Sequence, residues 1–196
     1  MTNIQRLNNI YKSGIDKTWS NTEIPDKLIE YLDYLKSKVT SYSKLKVLDI
    51  GCGRGRLIKR MIEDGWEDVT GIEVAGEAIK YLPPRIKLKI IVGDFMEERF
   101  NKKYDIITDL TMTCSVSPRH WSSIFRKINE ILEGNGYYLG EFFTERMSGS
   151  KLDKTWYLKE NDLRNALSGW FVFFLLPLVI LGKIYISRGM SGINNL

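Results

Sequence analysis

Residues Lys46 to Leu57 read KVLDIGCGRGRL, and this stretch decides the fold. Val47 to Ile50 reads as a strand, a helical pattern follows, and between them Gly51, Gly53 and Gly55 alternate behind Asp49. Glycine is favoured where the backbone takes positive φ or must approach another group with no side chain in the way. A glycine-rich turn from a strand into a helix therefore predicts a ligand lying on the main chain. The unpaired N–H groups of the helix start face it.

Working outward, the same alternation of strand and helix continues. Upstream, Leu28, Ile29, Leu32 and Leu35 recur at helical spacing from Glu23 to Val39, with Pro25 near the start, and Ser41 to Ser43 is a polar link. Downstream, Leu57, Ile58, Met61 and Ile62 mark a helix from Gly55 to Asp64 that Gly65 stops. Val69 to Glu73 reads as a second strand, Gly76 to Leu82 as a short helix ended by Pro83 and Pro84, Leu88 to Val92 as a third strand and Tyr104 to Leu110 as a fourth. Ser117 is placed to cap the next helix and Pro118 to fill its first turn. Trp121, Ile124, Phe125, Ile128, Ile131 and Leu132 then form one stripe before Gly134. Asn135-Gly136 is expected to turn the chain into a strand from Tyr137 to Phe143, Asn161 to Leu167 looks helical, and two further strands flank Pro177. Such alternation implies parallel pairing, right-handed crossovers and a doubly wound α/β sheet whose ligands sit at the carboxyl ends of the strands.

Composition sets outer bounds. At 196 residues and 43% apolar, the chain suits one domain, 1–196, with 1–43 as an N-terminal helical cap and 44–196 as the core. The apolar run from Trp170 to Leu181 is interrupted by Pro177 and is shorter than the ~20 residues of a membrane helix, so no membrane association is expected. No secretory signal is read at the start. Cys52, Cys114 and a single histidine, His120, assemble neither a disulfide framework nor a zinc ligand set, which fits a reducing, cytoplasmic setting and no metal. A net charge of +5 attracts anions, yet 29 basic residues are interleaved with 24 acidic ones, so nucleic acid is an available but not a favoured partner.

The spacing of the glycines narrows the ligand. A dinucleotide fingerprint needs G-x-G-x-x-G, whereas here the third glycine arrives one position early at Gly55 and Arg56 takes the fingerprint position. The pattern of Asp49, Gly51, Gly53 and Gly55 resembles motif I of class I S-adenosylmethionine-dependent methyltransferases. VTGIEVAGEAI places Glu73 at the end of the second strand, IIVGDFMEERF places Asp94 and Phe95 after the third, and YDIITDLTMTCSVSPRHW places Asp109 and Leu110 after the fourth. ILEGNGYYLGEFF resembles the L-x-P-G-G segment of the class, with Glu133 in place of proline. The lead-in IYKSGIDKTWSNTEIPDKLIEYL is similar to that of the thiopurine, thiol and tellurite-resistance-like small-molecule methyltransferases, and the likeness runs from Tyr11 to Arg188.

The resemblance implies a Rossmann-like methyltransferase fold, mostly parallel and seven-stranded with an antiparallel C-terminal strand, and S-adenosylmethionine as cofactor. It implies Glu73 on the ribose hydroxyls, Asp94 on the adenine amino group, Phe95 on the ring, and Asp109 and Leu110 at the methionine end. Asp49, Gly51, Cys52, Gly53 and Val74 complete the cofactor set, with Trp19 from the N-terminal segment. The tetrapeptide [Asn/Asp]-Pro-Pro-[Tyr/Phe] of base amino-methyltransferases is missing, and a small-molecule acceptor is expected. Met112 and Thr113 would wall the acceptor, Arg119 would hold an acidic one, and His120 would be the base if one is needed. Arg54 and Arg56 are expected to be exposed, and Thr144 to Trp156 is placed to act as a lid. The alternatives are a compact RNA or protein methyltransferase, a cofactor-binding module without turnover, and a nicotinamide-dependent reductase.

Overall fold

The structure, a computed structural model, describes residues 3–20, 23–142, 161–162, 165, 173–176 and 185–188. The chain divides into two compact units, Met1–Arg99 and Phe100–Leu196.

The first unit begins with three helices, α1 (Asn3–Ser13), α2 (Lys17–Ser20) and α3 (Asp26–Lys38). The helical spacing in α3 buries Leu28, Leu32 and Leu35, each worth about 1.5–3 kcal/mol when fully removed from water. β1 (Val47–Ile50), β2 (Val69–Glu73) and β3 (Ile90–Val92) then pair in parallel in the order β3-β2-β1, with Val47 opposite Val69 and Glu73 opposite Val92. Every residue of β1 is buried, as expected of a parallel strand covered on both faces. α4 (Arg56–Glu63) turns Leu57, Ile58 and Met61 into the core and lies against β2. Its approach is close: a Cβ on Gly71 of β2 would stand 2.3 Å from Ile58 Cδ1.

Two expectations for this unit are corrected. The helix expected from Gly76 to Leu82 ends at Ile79 as α5 (Gly76–Ile79), and Pro84 starts a further helix, α6 (Pro84–Lys87), because a proline in the first turn lacks only an N–H that the helix does not use. β3 in turn begins at Ile90, since the amides of Leu88 and Lys89 bond back to the carbonyls of Pro84 and Ile86.

The second unit opens with β4 (Tyr104–Leu110), passes through 3-10 turns at Thr113–Ser115 and Pro118–His120, and enters α7 (Trp121–Ile131). Trp121, Ile124, Phe125 and Ile128 are its buried stripe. Ser117 makes no side-chain cap hydrogen bond, and the turn at Pro118–His120 leads into α7 instead. β5 (Leu132–Glu141) follows directly and pairs in parallel with β4, with a register shift between Tyr104 and Ile106. The turn expected at Asn135-Gly136 is thus absorbed into β5. Gly136 serves close approach, since a Cβ there would meet Leu132 Cγ at 2.8 Å and the Asp105 carbonyl oxygen at 3.0 Å.

The expected seven-stranded sheet is also corrected. Among the described residues five strands pair in parallel, three in the first unit and two in the second, while β6 (Phe173–Leu176) and β7 (Tyr185–Arg188) pair antiparallel in a sheet of their own. Phe173 faces Arg188 and Leu176 faces Tyr185, so each strand has one edge paired by the other. The expected lid from Thr144 to Trp156 and most of the helix from Asn161 to Leu167 lie outside the described residues. Among those described, no helix is long and apolar enough to cross a membrane.

Candidate active site

In the first unit the parallel register brings the carboxyl ends of β1, β2 and β3 to one edge. The turn leaving β1 is shaped by three glycines in the left-handed region, Gly51 (φ 66), Gly53 (φ 53) and Gly55 (φ 63). Gly55 lets neighbours close in beneath it, since a Cβ there would meet Ile86 at 3.0 Å and Ile90 at 3.2 Å. The amides of Gly51 and Cys52 both donate to the Ile72 carbonyl, at 2.9 and 3.1 Å, and so anchor the turn to β2.

Glu73 closes that turn. Its Oε2 accepts from the Gly53 amide at 2.9 Å and its Oε1 from the Ala75 amide at 2.8 Å. Burial raises its pKa, and the backbone donors pull against that shift. A carboxylate has about four acceptor positions, so two bonds leave it able to accept the hydroxyls of a ligand. Asp49 lies 2% exposed at the end of β1. Cys52 is half-buried, and burial together with the nearby Asp49 and Glu73 charges raises its thiol well above its ordinary pKa, which keeps it protonated. Val74 is half-buried beside Glu73, and Phe95 is buried after β3. Asp94 is exposed, and its Oδ1 accepts the Met96 amide at 2.8 Å, a side-chain cap on the turn after β3.

The N-terminal helices reach this turn through residues that the sequence did not single out. Arg54, expected to be exposed, makes a bidentate pair with Asp16, which has no exposed surface. Burial pushes the Asp16 carboxyl up, but hydrogen bonds from Arg54 and Ser20 outweigh it and hold the group below its ordinary value. Tyr11 stacks its ring on Arg54. The one sequence signal was an acid just past Gly14, a residue that proves to have φ 76. Trp19 belongs to α2, and its side chain lies outside the described residues.

In the second unit Asp109 sits wholly buried near the end of β4. Its Oδ2 accepts from the Thr113 hydroxyl and, at 3.0 Å, from the Tyr138 hydroxyl, while Oδ1 accepts the Thr113 amide at 3.3 Å. Desolvation outweighs these donors and pushes its pKa up to about 6. Thr113 is fully buried with its hydroxyl committed to Asp109, and the Trp121 indole donates to its carbonyl at 3.1 Å and to that of Val116 at 3.0 Å. Leu110 and Met112 are half-buried around Thr111, whose φ of 74 is unusual for a β-branched residue. Arg119 and His120 are both exposed, with Arg119 Nε donating to His120 Nε2 at 3.0 Å. Tyr138 was missed because nothing in its strand marks one tyrosine as a partner for a carboxylate.

Comparison with known proteins identifies the fold. Residues 47–136 match the family described as a methyltransferase domain, the stretch that holds the glycine turn. The fold is that of the class I S-adenosylmethionine-dependent methyltransferases. It is similar to the magnesium protoporphyrin IX methyltransferase of Synechocystis PCC 6803 with bound SAH, at a TM-score of 0.69 and 12% identity over 93% of this chain and 97% of that one. A TehB-like S-adenosylmethionine-dependent methyltransferase of Corynebacterium glutamicum gives a TM-score of 0.66 at 14% identity, over 96% of this chain and all of the other. Among curated proteins, the malonyl-[acyl-carrier protein] O-methyltransferase of Acetivibrio thermocellus is 33% identical over 98 residues, 47% of this chain and 31% of that protein. The chain spans between a quarter and about a third of the length of most of the curated relatives it matches. S-adenosylmethionine is the cofactor of this class.

Proposed function

We propose that the chain transfers a methyl group from S-adenosylmethionine to a small-molecule acceptor by in-line displacement. The observation that carries this reading is the glycine turn itself: main chain in the left-handed region, with Glu73 held at its mouth by the amides of Gly53 and Ala75. A neighbour's name supports a small acceptor, since it specifies magnesium protoporphyrin IX, and a relative's specifies a small acyl group carried on a protein.

The residues fit the cofactor. Glu73 has acceptor capacity left for two ribose hydroxyls, and Asp49 places a carboxylate at the strand end where an ammonium group would be matched in charge. Gly51, Cys52, Gly53 and Val74 offer main chain, Asp94 a second carboxylate oxygen for an adenine amino group, and Phe95 a buried ring beside it. Trp19 is proposed as a further wall. When bound, S-adenosylmethionine supplies a methyl carbon already activated by its sulfonium. The protein's task is then to align and desolvate the acceptor.

For the second unit the proposed roles come from the sequence. Asp109 and Leu110 serve the methionine end, and Met112, Thr113 and Arg119 serve the acceptor. Asp109 and Thr113, being buried and bonded to each other, act through the shape of the turn that carries Met112. A thiolate acceptor needs no base; a phenol or amine would give its proton to His120 Nε2 once that nitrogen's lone pair leaves the Arg119 Nε–H it accepts.

Calorimetric titration with S-adenosylhomocysteine, run beside Glu73→Ala and with NAD as control, tests the reading. Binding that the substitution weakens, followed by methyl transfer to a panel of thiols, phenols and amines, is expected. Absence of binding by the intact chain would remove the proposal.

A further inference from the structure

Arg54 stands inside the glycine turn and grips the N-terminal helices. Its Nε donates to Asp16 Oδ2 at 2.6 Å and its Nη2 to Asp16 Oδ1 at 2.9 Å, a charge-assisted fork on a carboxylate with no exposed surface. Nη2 also donates to the Tyr11 carbonyl at 3.2 Å, and the Tyr11 ring lies 5.5 Å from the guanidinium. The hydroxyl of the same tyrosine covers Gly53, where it would stand 3.1 Å from an added Cβ. One turn further back, Asn8 Oδ1 accepts the Glu77 amide at 2.9 Å, and Leu7 packs with Tyr11 on Ala75, Ala78 and Ile79. α1 therefore touches both the turn after β1 and the helix that follows Glu73. Yet it contributes no fully buried residue of its own, and segments with few buried apolar contacts open at low cost.

We propose that Arg54 is a positioning residue: it latches the N-terminal helices onto the glycine turn, and release of this latch sets how fast the cofactor is exchanged. The inference rests on the methyltransferase reading above. The guanidinium that holds α1 projects from the same backbone that would meet the cofactor, so loosening α1 frees the turn. Segments that close over a site commonly limit turnover through ligand release.

The test compares the intact chain with Arg54→Ala, Arg54→Lys and Asp16→Asn, with S-adenosylhomocysteine as the probe. Hydrogen exchange of the amides of residues 4–13 reports the latch, and a chase of radiolabelled S-adenosylhomocysteine reports release. Expected are faster amide exchange and roughly tenfold faster release in Arg54→Ala and Asp16→Asn, with a smaller change in Kd because entry speeds up too. Arg54→Lys falls between, since it keeps the charge but loses the planar fork. Asp16→Asn preserves size, and an unchanged circular dichroism spectrum keeps its result interpretable if Arg54→Ala unfolds. Protection of residues 4–13 unchanged in a folded Asp16→Asn overturns the latch, and faster opening with unchanged release overturns its control of exchange. If the intact chain binds no S-adenosylhomocysteine, the methyltransferase reading falls and the control of cofactor exchange with it, while hydrogen exchange still judges the latch by itself.

Discussion

The amide of Gly53 donates to Glu73 Oε2 at 2.9 Å, so the backbone leaving one strand is fastened to the side chain ending the next. Glu73→Gln keeps the shape but sets an NH2 group against one of two backbone donors. A stability loss of about 1–3 kcal/mol is expected from the unmatched donor, together with S-adenosylhomocysteine affinity at least about tenfold weaker. Urea denaturation and calorimetry check the two halves, and unchanged stability would show that one of the two bonds, to Gly53 or to Ala75, contributes nothing.

Thr111 carries its side chain at φ 74, a conformation that costs an L-residue roughly 1–2 kcal/mol. Thr111→Gly is expected to raise stability by about 1 kcal/mol by relieving that strain, whereas Thr111→Val leaves it in place. Thermal melts of both variants decide the matter. A destabilised glycine variant would mean that contacts of the side chain outweigh the strain.

Asp109 links stability to pH. Its carboxyl titrates at about 6 in the folded protein against an ordinary 3.8, so the folded state holds the proton more tightly than the unfolded one. The stability this confers is full below pH 3.8, falls as pH rises through the window, and is gone above about 6. The span is on the order of 3 kcal/mol. Asp109→Asn should flatten urea-derived stability across that window, and a slope unchanged from wild type would exclude Asp109 as its source.

Gly71→Ala should be severe for a glycine with no unusual φ. The new methyl would stand 2.3 Å from Ile58 Cδ1 and 2.7 Å from Cys52 Sγ. Overpacking of this kind costs about 1–3 kcal/mol. Pairing the change with Ile58→Val should recover part of the loss in the denaturation midpoint, and no recovery would place the strain elsewhere.

Much of the scaffold was legible because local pattern and tertiary burial agree there. β1, β2 and β4 fall on the residues read from the sequence, and the stripes of α4 and α7 are buried apart from Ile62 and Ile131, which are half-buried. The reading faltered where one residue type serves two purposes. Pro84 looked like a stop and proved a start; Gly136 looked like a turn and proved a point of close approach. At the candidate site, the glycine turn and the place of Glu73 at the end of β2 fall where their spacing put them. The Asp16–Arg54 pair and the Tyr138–Asp109 bond join residues distant in sequence. A lone arginine or tyrosine carries no mark of the carboxylate it will meet, and only the folded chain supplies it.

The donors of the glycine turn bear on how such a protein changes over time. Gly53 and Ala75 present main-chain amides to Glu73, and Gly51 and Cys52 present theirs to Ile72. Main-chain donors survive almost any substitution that respects the dihedral angles, so lineages can replace nearly every side chain around the turn and still inherit its shape. That accounts for a shared fold at 12% identity. It also means that heritable change in the shape of the turn is constrained mainly at the glycines and the strand-end acid, while Arg54 and Gly71 answer to the separate demands of the Asp16 pair and of close packing.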